Sequence, residues 1–140
     1  MALKTYTGSC HCGAVRYEAD LDLDEGSIRC NCSICARVRA WFTFAKGAER
    51  FRLRGADALT EYRWTPPGRE HPFLTYAFCG TCGVRMFARS QSPSAGETFH
   101  AVAIPTLELE PQQRAAIPVR YVDGRNDRFD QQPAGDLAAI

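Results

Sequence analysis

Seven cysteines fall into three short groups along the chain: Cys10 and Cys12, then Cys30, Cys32 and Cys35, then Cys79 and Cys82. The middle group, Cys30-Asn31-Cys32-Ser33-Ile34-Cys35, puts three thiols within six residues. A tetrahedral metal centre needs four ligands, so three from one segment either recruit a fourth from elsewhere or leave a position open for chemistry. The three groups together hold enough thiols for one complete four-thiolate site and one three-thiolate site. Joining a knuckle near the start to one far down the chain closes a long loop and turns metal-binding free energy into folding free energy. Cys10, Cys12, Cys79 and Cys82 make such a structural set. Spacing counts ligands without assigning them, however, and Cys10 and Cys12 could instead join two thiols of the triplet. An odd number of cysteines fits poorly with a closed disulfide framework. A redox role for Cys79-Gly80-Thr81-Cys82 lacks the βαβ setting that motif needs.

The chain has 140 residues, a natural size for one domain. We expect that domain to span residues 1–130, with 131–140 a loosely held tail. Lys and Arg number 17 against 16 for Asp and Glu, so no global field draws the protein to nucleic acid or to an anionic membrane surface. No apolar run approaches the ~20 residues of a membrane span, and the first residues lack the apolar stretch of a signal peptide. The expectation is a soluble, cytoplasmic protein, where clustered thiols serve metal binding or redox chemistry.

Short alternating segments dominate the rest. Strands are expected at Ala14–Ala19, Ser27–Arg29, Ala40–Ala45, Leu74–Phe78 and Val119–Val122, with Thr98–Ile104 the longest, and Val84–Ala88 leads away from the Cys79–Cys82 knuckle. Phe51–Gly55 and Leu59–Trp64 read as antiparallel neighbours. Asp20 to Gly26 reads as an acidic surface loop, Ser90 to Gly96 as a polar turn, and Asp123-Gly124 as a turn after the last strand. Ser33 is expected to cap a short helical turn through Val38, and residues 106–118 to be irregular or briefly helical. Gly13 and the glycines around Cys82 can take the positive φ of tight turns. Seven or eight strands at about ten-residue spacing imply a mainly β fold of two small sheets.

Three segments carry a resemblance: Ser9-Cys10-His11-Cys12-Gly13-Ala14-Val15-Arg16-Tyr17, Cys30-Asn31-Cys32-Ser33-Ile34-Cys35-Ala36-Arg37 and Phe78-Cys79-Gly80-Thr81-Cys82-Gly83. Together they resemble the glutathione-dependent formaldehyde-activating enzyme family, also called the GFA/CENP-V domain, over roughly the first 90 residues. The resemblance implies a β-tent fold of small curled antiparallel sheets with zinc-binding knuckles. It also implies two zinc ions, one structural on Cys10, Cys12, Cys79 and Cys82 and one functional on Cys30, Cys32 and Cys35. The implied activity is that of a carbon-sulfur lyase joining formaldehyde to glutathione to give S-hydroxymethylglutathione. The proline-and-histidine signature often found near the family's C-terminal end is replaced here by Pro118-Val119-Arg120-Tyr121-Val122-Asp123-Gly124.

Three thiolates on a divalent ion make a weakly acidic centre suited to exchanging its fourth ligand for a soft donor, such as a substrate thiol. Arg37, Arg39 and Arg85 lie near the cysteine groups in sequence and could clamp the carboxylates of a glutathione-like substrate. His11 is expected to point outward, His100 to be a hydrogen-bonded core residue, and His71 to sit in a loop that could approach the site. Trp41, Phe42 and Phe44 read as core. A second reading is a binding module with two structural zincs, in which Lys46, Arg50, Arg52 and Arg54 meet nucleic acid or a protein. Near-neutral net charge and Glu49 within that run weigh against it.

Overall fold

A computed structural model describes residues 2–72, 74–90 and 98–140. Two open sheets, the β-tent arrangement, account for most of it. The smaller sheet has the order β1-β2-β5, with β1 at Lys4–Ser9, β2 at Arg16–Leu21 and β5 at Phe51–Arg54. The larger sheet contains β3 (Ser27–Cys30), β4 (Trp41–Lys46), β6 (Leu59–Arg63), β7 (Leu74–Cys79), β8 (Arg85–Ser90), β9 (Phe99–Ala103) and β10 (Val119–Val122). Its order is β10-β3-β4-β9-β8-β7-β6. Every neighbouring pair is antiparallel except β10 and β3, which run parallel with Val122 opposite Cys30. Two short helices complete the description, α1 at Ser33–Val38 and α2 at Pro111–Ala115. Among the described residues no helix is long and apolar enough to cross a membrane.

Alternation builds the core. In β2 and the residue before it, Val15, Tyr17, Ala19 and Leu21 all face inward and are at most 2% exposed, as period-two geometry requires. The acidic loop expected from Asp20 therefore begins later. Leu21 continues the buried face by one more step, and its neighbours Asp20 and Asp22 masked that step in the composition. The two sheets meet around Phe51, whose ring lies 5.1 Å from Tyr17, 4.6 Å from Phe87 and 4.3 Å from His100. Tyr17 also reaches across to share a 2.7 Å hydrogen bond with the Thr106 hydroxyl.

Other sequence expectations need correction. β5 and β6 are not neighbours: β5 pairs with β2 in the small sheet and β6 with β7 in the large one. Between them the chain turns at Gly55, where a Cβ would collide with the Ala14 carbonyl, and crosses from one sheet to the other. Alternation identifies a strand but does not name its partner. β9 is shorter than the six-residue strands, because Ile104-Pro105-Thr106 leaves the sheet as a 3₁₀ turn with proline near its start. The cap of α1 is Cys32, whose Sγ accepts from the Cys35 N–H, and Ser33 is already helical. Of the predicted polar turn, residues 91–96 lie outside the described residues.

The basic stripe is largely neutralised at its centre. Arg52 makes a forked pair with Asp20 at 2.8 and 3.0 Å, and Lys46 reaches Glu25 at 3.2 Å. His100 is flanked by Phe51 and Phe87, and its buried Nδ1 has no hydrogen-bond partner. Burial, with the Arg89 charge adding, pulls its pKa down to about 4.

Phe51 tests the seam between the sheets. Phe51→Ala is expected to cost about 3–5 kcal/mol in a denaturant titration. Tyr62→Ala, at a ring that is 49% exposed, is expected to cost less than about 1 kcal/mol.

Candidate metal centres and the adjoining cavity

The structure gathers the seven cysteines into two clusters. Cys10, Cys12, Cys79 and Cys82 bring their sulfurs within 4.8 Å of one another, and so do Cys30, Cys32 and Cys35. Geometry thus decides between the ways of dividing the thiols that spacing left open.

The four-thiol cluster joins the two sheets. Cys10 and Cys12 come from the β1–β2 connection of the small sheet, Cys79 from the end of β7 and Cys82 from the β7–β8 turn of the large one. Each knuckle closes in the same way: Cys10 N–H donates to the Val15 carbonyl at 3.1 Å, and Cys79 N–H to the Val84 carbonyl at 3.0 Å. Gly13 and Gly83 sit at matching places with φ of 80° and 78°, a conformation glycine adopts at little cost. The Cys10–Cys12 and Cys12–Cys79 sulfur separations are both 3.7 Å. Four sulfurs about 2.3 Å from a zinc ion would stand about 3.8 Å apart, so the cluster fits that ion. Backbone N–H groups of Val15, Thr81 and Cys82 point at these sulfurs from 3.4–3.5 Å. Such donors favour thiolate over thiol. The Cys12 and Val84 N–H groups accordingly draw Cys82 down to about 6.

The triplet is built differently. Cys30 ends β3, Cys32 caps α1 and Cys35 lies in the first turn of that helix. Cys30 and Cys35 are buried and Cys32 is partly open. Hydrogen bonds from Cys30 and Cys35 hold the Cys32 thiol far below the ordinary range. The same contacts, with burial, raise Cys35. Three thiols this close form a donor set that a divalent cation would complete by displacing their protons.

A loop that sequence reasoning assigned no site role backs this triplet. Asn31 Nδ2 donates to Asp123 at 2.8 Å, and the Arg125 N–H donates to Asn31 Oδ1 at 2.9 Å. Asp123 is only 6% exposed, and hydrogen bonds from Asn126 and Asn31 hold its carboxyl below the usual carboxylate range. Gly124 presses on Cys30, where a Cβ would collide with Sγ. The signal available in the sequence was the Asp123-Gly124 turn itself, but nothing local says that it lies against residue 30. Parallel pairing of β10 with β3 puts it there.

All three triplet cysteines line one cavity of about 410 Å³. Its wall includes Phe42, Phe44, Trp64, Tyr76, Phe99 and Phe129. A second cavity of about 280 Å³ touches Cys35 alone among the cysteines and shares Phe42, Leu74 and Tyr76 with the first. Phe42 and Phe44, expected in the core, are half-buried cavity walls, while Trp41 packs against the main core and lines the smaller space. Half-burial is what a strand gives when one face meets solvent through a cleft.

The expected arginines fall on the smaller cavity or on neither. Arg39 and Arg85 line the 280 Å³ space; Arg37 lines neither and donates to the Ser33 carbonyl at 2.7 Å. Arg39 donates to the Ala138 and Ala139 carbonyls at 3.2 and 3.3 Å, tying residues of the tail to α1. Arg85 lies 4.9 Å over the Tyr76 ring. Arg69 and Arg120, which carried no signal in the sequence, line the larger cavity. His11 and His71 are exposed, and His71 lines neither cavity.

Gly124→Ala is expected to lower metal content at the triplet while sparing the four-thiol cluster, giving about one equivalent less by elemental analysis with the far-UV spectrum retained. Since thiolates are the ligands, acidification from about pH 8 to about pH 4 should release metal progressively, readable with a chromogenic chelator.

A crystal structure of a Rhodobacter sphaeroides protein shares this fold, with 32% sequence identity, a TM-score of 0.63, and coverage of 81% of this chain and 99% of that one. The profile of the family described as glutathione-dependent formaldehyde-activating enzyme matches residues 5–122. The match takes in both cysteine clusters and the β10 strand behind the triplet, and the chain belongs to the glutathione-dependent formaldehyde-activating enzyme family.

Proposed function

We propose that the protein is a zinc-dependent carbon-sulfur lyase acting on a small thiol adduct, forming or cleaving a compound of the S-hydroxymethylglutathione type. The observation that carries this reading is the contrast between the clusters. Four thiols form a complete ligand set in the seam between the sheets, whereas three thiols form an incomplete set that opens on a cavity large enough for a small molecule.

In the forward direction a thiol adds to an aldehyde. The sulfur–carbon bond forms, the carbonyl π bond becomes a carbon–oxygen single bond, and the thiol proton ends on that oxygen; no oxidant or reductant is consumed. Zinc on Cys30, Cys32 and Cys35 would supply a positive centre that favours the ionised form of the arriving thiol. Asn31 and Asp123 lock the turn that sets Gly124 against Cys30 and Cys32. Phe42, Phe44 and Tyr76 shield the reacting atoms from water. Arg85 and Arg39 are placed to take a carboxylate only from a substrate that extends into the smaller cavity, and Arg37 would serve one passing α1. Thiols of this kind need a reducing compartment, in keeping with a cytoplasmic location.

The test pairs two substitutions. Cys32→Ser should bind about one zinc fewer, keep its fold and lose about a hundredfold or more of the rate at which formaldehyde and glutathione reach equilibrium with their adduct by NMR. Cys79→Ser should lose the cooperative unfolding transition. If Cys32→Ser unfolds the protein as fully as Cys79→Ser, the triplet is structural and the enzyme reading fails.

A further inference from the structure

We infer that the cavity beside Cys30, Cys32 and Cys35 is shaped for a thiol bearing an aromatic or branched apolar group rather than for a polar peptide thiol. The inference rests on the thiol-adduct reading above and narrows its substrate class. Formaldehyde contributes a single carbon and oxygen to an adduct, so a cavity of about 410 Å³ answers to the other partner. Phe42, Phe44, Trp64, Phe99 and Phe129 stand in the wall that this partner would meet. Three of these rings brace one another edge to face, Phe42 on Phe44 at 5.4 Å and Phe44 on Phe99 at 5.3 Å. Such a wall is already formed and matches another flat or branched apolar group.

The charged groups point the same way. Among the described residues, Arg69, Arg120 and Asp127 are the charged ones lining the cavity, and Arg69 is paired with Asp127 at 2.8 Å. Arg120 donates to the Phe129 carbonyl at 3.1 Å. Glutathione carries two carboxylates, an ammonium and two amides, each costly to bury without a hydrogen-bond partner. The arginines expected to clamp those carboxylates, Arg39 and Arg85, line the other cavity. An apolar thiol satisfies the wall and asks little of the rim.

Titrating benzyl mercaptan and glutathione separately into the full, cobalt-substituted chain tests this, with affinity read by calorimetry and ligation by the cobalt absorption spectrum. Benzyl mercaptan should bind at least about tenfold more tightly than glutathione. Trp64→Ala and Phe129→Ala, both outside the strands, should each weaken it by about tenfold. Glutathione binding as tightly as benzyl mercaptan, or more so, with the spectrum changing, would overturn the inference and leave the lyase reading standing. Wild-type affinity for benzyl mercaptan in both variants would likewise overturn it. If neither thiol changes the spectrum, thiol ligation at the triplet is refuted and both readings fall.

Discussion

Four sulfurs drawn from two different sheets meet within 4.8 Å, and much else in the fold follows from that meeting. The β1–β2 connection and the β7–β8 turn lie about 70 positions apart in sequence. Without a cross-link, holding them together would fall on the core alone, which here is one seam of aromatic and aliphatic residues centred on Phe51. Both knuckles close on the carbonyl five residues after the first cysteine and carry a positive-φ glycine directly after the second, so each presents its sulfurs to the seam from a tight turn. A metal ion bound there would act as a staple on a small β domain, converting coordination energy into fold stability.

The triplet depends on that staple at one remove. It lies in the large sheet, at the end of β3, and its surroundings come from the far end of the chain through the parallel β10–β3 pair. Asn31 shows the consequence. Its neighbours in sequence are two ligands, yet its side chain serves to lock the Asp123 turn against them. The three thiols are closed on one side by this turn and open on the other to a cavity, whereas the four-thiol set lies in the seam between the sheets.

The aromatic strand β4 does two jobs at once. Thr43 and Ala45 face the interior, while Phe42 and Phe44 turn to the cavity and stay half-buried. An aromatic run in a short chain reads as core on composition alone, because the hydrophobic pattern cannot distinguish a wall against protein from a wall against a ligand. The same limit affected the arginines. Nearness to cysteines in sequence suggested Arg37, Arg39 and Arg85, but the fold sends Arg39, at the end of α1, and Arg85, at the start of β8, to the smaller cavity and leaves Arg69 and Arg120 at the larger one.

The sequence by itself determined the number of clustered thiols and their spacing, the positions of most strands, and membership of a family whose motifs are local: a C-x-C, a C-x-C-x-x-C and a C-x-x-C with their glycines. Such features are legible because spacing within a knuckle and alternation within a strand are set by covalent geometry over a few residues. Only the tertiary structure decided which knuckles share a cluster, that β5 and β6 belong to different sheets, and that the Asp123 turn lies against the triplet. Those facts depend on which strand edges meet. Edge pairing is settled by the packing of the whole core rather than by any segment's own pattern.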